Sequence, residues 1–261
     1  MSPRKTVFGL WFLMVLSCWW APAVLAASFT DTASLDAALK DAGTVDGVLQ
    51  LTPPGANLVL TGPVGGSTDG LSLDGQAGMV LGNNTFRLMD MGATGLGGVA
   101  NIEMSNGRTT GNGGALLAGG LSAGIVNSAF RGNQAANGGG VYLSGNFNGG
   151  IRTNIHFDRN TAARGNGGGV YVGGSFSGGI PGLNGDAPFA PNTAGGQGGG
   201  MYVAGAFSGD VSANYFADNK AGNHGGGLYV GGDFTGSLAD YAFFIRNSAG
   251  YQKGVGDRGG L

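Results

Sequence analysis

The sequence predicts an all-β fold: a parallel β-helix with coils of about 27–31 residues and a short N-terminal capping helix. Three observations carry this. Glycine supplies 58 of 261 residues, roughly three times its ordinary share. Charged residues make up only 11%, while 42% are hydrophobic. Glycine triplets begin at Gly138, Gly167, Gly198 and Gly225, and each is followed by an apolar–Tyr–apolar run. Such a composition excludes other classes. Glycine at this level destabilises helix interiors, so a bundle is excluded. No strict glycine-every-third period exists, which excludes collagen. A single cysteine excludes a disulfide scaffold. A net charge of −2 does not fit a nucleic-acid binder.

Taken in order, residues 1–26 read as a secretory signal peptide. Arg4 and Lys5 are followed by an apolar core over 7–15, and Val24-Leu25-Ala26 offers a cleavage site after Ala26. A retained membrane anchor and a lipoprotein box ending at Cys18 are the competing readings of this segment. Cleavage removes Cys18 and two of the 13 basic residues; against 15 acidic ones the mature charge becomes −4. No later stretch is long enough to span a bilayer as a helix.

The remainder, 27–261, reads as one repeat domain, with the repeats clearest over 112–261. Residues 34–41 predict a helix with Leu35, Ala38 and Leu39 on one face, suited to covering the first open coil. Strand-like runs follow at 48–51, 58–60, 71–74, 86–88 and 99–104. A degenerate repeat opens at Gly113-Gly114-Ala115-Leu116. The full repeats then combine the glycine triplet, the Tyr run, a second Phe at Phe147, Phe176, Phe207 or Phe234, and a Phe-x-x-Asn tetrad. The tetrads pair Phe130 with Asn133, Phe157 with Asn160, Phe189 with Asn192, Phe216 with Asn219 and Phe244 with Asn247.

Each unit predicts three short strands: one around the Tyr, one around the second Phe and its following Ile or Val, and one around the tetrad Phe. A single coil cannot bury its own apolar side, so coils must stack. Stacking at ~4.8 Å sets Val141, Val170, Met201 and Leu228 above one another as an inner ladder, and makes ladders of the tetrad Phe and Asn residues. The Asn amides are expected at a bend, bonding neighbouring backbone. About eight coils would form a rod of roughly 40 Å. The sequence stops at Gly259-Gly260-Leu261, where the next Tyr run would begin; the expectation is either that it is part of a longer protein, or that the uncapped C-terminal coil self-associates or is capped by a partner.

Gly-Gly-Ala-Leu at 113–116, the later Gly-Gly-Gly variants and the five Phe-x-x-Asn tetrads resemble polymorphic outer membrane protein repeats. The run through Leu71-Ser72-Leu73-Asp74-Gly75 resembles the opening coils of autotransporter passengers. The resemblance covers about 29–261. It implies a right-handed parallel β-helix that is exported, displayed at the outer membrane and often adhesive. Glycine replaces the motif alanine in most units. The alternating ten-residue strands of a translocator barrel are not in this sequence, so the resemblance implies a passenger or passenger fragment, periplasmic if no translocator is present.

Catalytic, cofactor and metal residues are expected to be none. Glu103 is the one glutamate beside 14 aspartates, and the aspartates do not recur at one coil position. Asp158 and Asp218 lie two coils apart. His156 and His224 have no partner at metal-ligand spacing. Asp257 lacks the recurring spacing of a calcium nonapeptide. Arg131, Arg159 and Arg246, at or near matching tetrad positions, read as solvated ladder residues, with a sparse basic strip as the alternative. Strand alternation turns Tyr142, Tyr171, Tyr202 and Tyr229 outward when Val141 and its equivalents point in; they read as a stacked ladder that stabilises the strand face, and they are also the candidate outer binding ladder. A glycan or a host or cell-surface protein is the expected partner. The alternatives are a carbohydrate-active β-helix enzyme and a self-associating structural rod.

Overall fold

In a computed structural model the chain is a parallel β-solenoid. The structure describes residues 23–25, 31–41, 47–50, 57–62, 64–65, 72–181, 188–212, 215–239 and 242–250. Every pairing between its strands is parallel. One face stacks seven strands, from Val64–Gly65 through Met89–Asp90, Leu116–Ala118, Val141–Leu143, Val170–Val172 and Met201–Val203 to Leu228–Val230. Six full turns separate the first from the last. That is fewer than the eight expected of 27–261 as a whole, parts of which lie outside the described residues.

The predicted ladders form in register. Leu116, Val141, Val170, Met201 and Leu228 align as one inner column. The tetrad phenylalanines stack at ring-centroid distances of 4.5–5.0 Å within 14° of parallel. The second column, Phe147, Phe176, Phe207 and Phe234, is more tilted, with interplanar angles of 34–64°. Buried aromatic and aliphatic residues from successive coils thus form one continuous core.

Two expectations are corrected. Each full coil has five strand pieces, not three. After Val141–Leu143, the coil continues through a bridge at Phe147, then Ile151–Arg152, His156–Asp158 and Thr161–Ala162. The second predicted piece is split because Gly149 and Gly150 bend the chain between Phe147 and Ile151, Gly150 at φ +79°. The last piece, directly after the tetrad Asn, was missed because two residues carry no readable period. The run 86–88 is also not a strand. The chain bends there, the Phe86 carbonyl accepting from Arg108 N at 2.7 Å, and the strand begins at Met89.

The glycine triplets divide their work. Their first members, Gly138, Gly167, Gly198 and Gly225, have φ of +59° to +69°, a region costly to residues with a Cβ. Their second members leave room for the neighbouring coil. A Cβ on Gly168 would collide with the carbonyl oxygen of Gly199 and lie 2.6 Å from that of Thr193.

The asparagine column is a continuous buried network. Asn160 Oδ1 accepts from both the backbone N (3.1 Å) and the Nδ2 (3.0 Å) of Asn133. Asn160 Nδ2 donates to the Phe130 carbonyl at 2.8 Å and to Asn192 Oδ1 at 3.0 Å. Asn192 and Asn219 repeat the pattern, and Asn247 continues it at the edge of the described stack. Just before this bend Gly132, Arg159, Asp218 and Arg246 take φ of +51° to +62°. Pro191, whose ring fixes φ near −65°, stands at the same place in its tetrad, so the amide bonds rather than the left-handed residue hold the corner.

The predicted helix is present at Thr32–Asp41. Asp31 caps it, accepting from Ser34 N at 2.8 Å, and this bond holds the Asp31 carboxyl below its ordinary range. Leu35 is fully buried; the side chains of Ala38 and Leu39 lie outside the described part. Asp36 Oδ1 accepts from Gly65 N at 3.1 Å, and Thr32 Oγ1 from Thr61 N at 2.9 Å. The helix therefore supplies acceptors to the edge strand Val64–Gly65, the role expected of a cap.

At the other end Leu238 is 43% exposed, whereas its column mates Ile180 and Val211 are fully buried. Residues 251–261, including Asp257 and Gly259-Gly260-Leu261, lie outside the described residues. No helix among the described residues is long and apolar enough to cross a membrane.

Candidate functional site

The four predicted tyrosines form one outer column. Tyr142, Tyr171, Tyr202 and Tyr229 pair in register, each between buried apolar neighbours, except that Val230 is only half-buried. Their rings stack at 4.6, 4.9 and 5.3 Å, within 18° of parallel. Each inner ring therefore spends both faces on its neighbours and offers solvent its edge and hydroxyl. What the column presents is a row of phenol oxygens repeating once per coil.

Stacking also shifts their acidity. Partial burial, and then the neighbouring phenols Tyr142 and Tyr202, raise the pKa of Tyr171 above the ordinary value of 10. Burial and Tyr229 raise that of Tyr202. A raised phenol pKa favours the protonated folded state. Its contribution is complete below the unfolded pKa of ~10 and is lost as pH climbs through the raised folded values. Alkaline titration followed by phenolate absorbance is expected to show these two phenols ionising late, with unfolding setting in above pH ~10. Ordinary titration of every tyrosine would contradict the stacked column.

A second arrangement was not foreseen. Three asparagines at another corner, Asn101, Asn127 and Asn154, have left-handed φ of +44° to +53°. They link side chain to side chain: Asn127 Nδ2 donates to Asn101 Oδ1 at 2.8 Å and Asn154 Nδ2 to Asn127 Oδ1 at 2.6 Å. Asn101 Nδ2 reaches Asp74 Oδ1 at 3.1 Å. Beside this ladder, Met79, Glu103, Ala129 and His156 stand in register on four successive coils. Ala129 is the smallest of them, and a groove of about 470 Å³ opens over it, with Arg131 at its border. Its walls therefore come from residues about 25 apart in sequence. The asparagines of this second corner lie outside the Phe-x-x-Asn tetrads and share no motif of their own.

Three arginines at or near the tetrad corner pair with carboxylates. Arg131 Nε lies 3.4 Å from Glu103 Oε2, and its Nη1 lies 3.4 Å from Asp158 Oδ2. Arg159 contacts Asp158 at 2.7 Å, and Arg246 holds Asp218 through two bonds of 2.6 Å. The Arg246 guanidinium holds the Asp218 carboxyl below its ordinary range, by hydrogen bonding first. The alternative of a basic strip is not realised by these three: Arg131, Arg159 and Arg246 each pair with a carboxylate. Asp158 aligns with Arg131 on its strand, whereas Asp218 occupies the left-handed corner, so the two do not form a pair. His156 lines the groove, and His224 is exposed on a turn. Among the described residues no three His, Cys, Asp or Glu gather to hold a metal ion.

In comparisons with protein-family models, curated proteins and solved structures, nothing matches this chain.

Proposed function

We propose that the protein is an exported, non-enzymatic, adhesin-like β-solenoid, a passenger or passenger fragment of the polymorphic outer membrane protein and autotransporter type. The tyrosine column carries this reading. It sets the same hydrogen-bonding group on four consecutive coils. Such a surface suits an extended partner, a glycan or a cell-surface protein, contacted along the rod. Tyrosine is among the residues that dominate binding surfaces.

Export rests on the leader. The strand Ala23–Leu25 lies within it and pairs with Gly47–Gln50. Cleavage after Ala26 would remove that strand and leave Gly47–Gln50 at the edge of its sheet. Immunoblots of fractionated cells and medium test this step. A band much larger than 25.8 kDa in the outer membrane is expected of an autotransporter; a band a little below 25.8 kDa in periplasm or medium would mean a free-standing rod and sink that assignment, and an uncleaved cytoplasmic chain would remove export.

The binding step is tested with residues 27–261 on glycan arrays and on host cells. Tyr171→Ala combined with Tyr202→Ala is expected to weaken binding at least tenfold, about 1.4 kcal/mol. Binding unchanged by that pair would sink the role of the column. Release of sugars from a polysaccharide panel would replace the proposal with the carbohydrate-active alternative. Self-association at the exposed Leu238 end is read in the same preparation by sedimentation.

A further inference from the structure

We propose that the groove between the Asn101–Asn127–Asn154 ladder and the Glu103–Arg131–His156 side is a binding site for a short, neutral oligosaccharide. It is a different surface from the tyrosine column, and the inference does not rest on that column's function.

Size comes first. A volume of about 470 Å³ falls within the ~300–1,000 Å³ range of small-ligand pockets. From Met79 to His156 the register advances three strand spacings, ~14 Å. The site is thus elongated along the solenoid axis, as a chain of sugars is.

Chemistry narrows the ligand. Asn127 and Asn154 each donate one amide proton to the preceding asparagine and Asn101 donates one to Asp74, and each Nδ2 carries a second N–H that can meet a ligand oxygen. Glu103 accepts from Ser105 Oγ at 2.7 Å through one oxygen, leaving lone pairs on both. Arg131 has five N–H donors, and two of its nitrogens lie 3.4 Å from the Glu103 and Asp158 carboxylates. Carboxamide, carboxylate and guanidinium together both donate and accept, which suits hydroxyl groups that do the same.

Charge excludes the nearest competitors. Arg131 lies between two carboxylates, so the groove has no uncompensated cation for a uronate or sulfated sugar. Its single lining carboxylate, Glu103, is already engaged by Arg131 and Ser105, which is a poor cation site. Repeat spacing adds a fit. The asparagine amides recur once per coil, at ~4.8 Å, close to the advance of one pyranose along an extended glycan, so successive sugars can meet the same group.

The test uses the purified chain titrated calorimetrically with cellotetraose, chitotetraose and maltotetraose, and with tetragalacturonate as the anionic comparison. At least one neutral tetrasaccharide is expected to bind, at least tenfold more tightly than tetragalacturonate. Ala129→Tyr fills the groove from its floor and is expected to abolish binding. Glu103→Gln keeps the shape, removes the charge that orders Arg131, and is expected to weaken binding at least threefold. His224→Ala, at an exposed position outside the groove, is expected to leave it unchanged. No neutral binding, equal or tighter binding of tetragalacturonate, or wild-type binding by both groove variants would overturn the proposal.

Discussion

Replacing Asn160 with leucine is expected to destabilise the solenoid by about 2–6 kcal/mol, because buried polar groups left without partners cost ~1–3 kcal/mol each. Asn133 N loses its acceptor, Asn160 Oδ1, and the Phe130 carbonyl loses the Nδ2 that donates to it at 2.8 Å. Asn160 itself is fully buried, so water does not replace the lost bonds. Leucine is preferred to alanine for the test because it leaves no polar cavity for a water to occupy. Asn247→Leu is the matched comparison. That residue is half-buried at the edge of the described stack, where solvent can reach the freed groups, and a smaller loss is expected. Urea unfolding measures the difference, and hydrogen exchange over 130–200 locates it, since a solenoid transmits damage mainly to neighbouring coils. Equal losses for the two variants would show that the ladder is not a buried network.

Gly168→Ala is expected to cost about 3 kcal/mol or more, the upper end of overpacking effects. A single methyl group is involved, yet it meets only backbone atoms of the next coil: the Gly199 carbonyl and the carbonyl carbon and oxygen of Thr193. Backbone cannot rotate aside as a side chain can. The coils would have to part, lengthening the bonds from Gly168 N to Gly198 O and from Gly169 N to Gly200 O, now 3.1 and 3.0 Å. Gly62→Ala is the control. A Cβ there meets nothing within 4 Å, so no loss is expected, and the entropy of the unfolded chain favours alanine slightly. Thermal unfolding of both variants checks the contrast. A tolerated Gly168→Ala would mean that coil spacing is softer than the stacked carbonyls imply.

The same geometry explains which parts of this protein could be read without coordinates. The ladders of Phe130, Phe157, Phe189, Phe216 and Phe244, and of the asparagines three places on, follow from a sequence period near 27–31, because a repeat of that length must set equal residues above one another. The capping helix was legible from the spacing of Leu35, Ala38 and Leu39. The tyrosine column was legible because alternation along a strand fixes which side chains leave the core.

The groove was not legible, for a physical reason. Asn101, Asn127 and Asn154 share a corner, but their neighbours in sequence differ from coil to coil, so no motif marks them. Glu103, Ala129 and His156 share a column only by strand register, and one of them matters by being small. The paired state of Arg131, Arg159 and Arg246 was hidden likewise, since their carboxylates come from other residues of the repeat. Sequence by itself determined the solenoid, its ladders and the need for glycine at its corners, because those depend on period and on local backbone limits. Only the tertiary structure decided which unlike residues of adjacent coils meet, because that depends on a register set by the whole stack of coils.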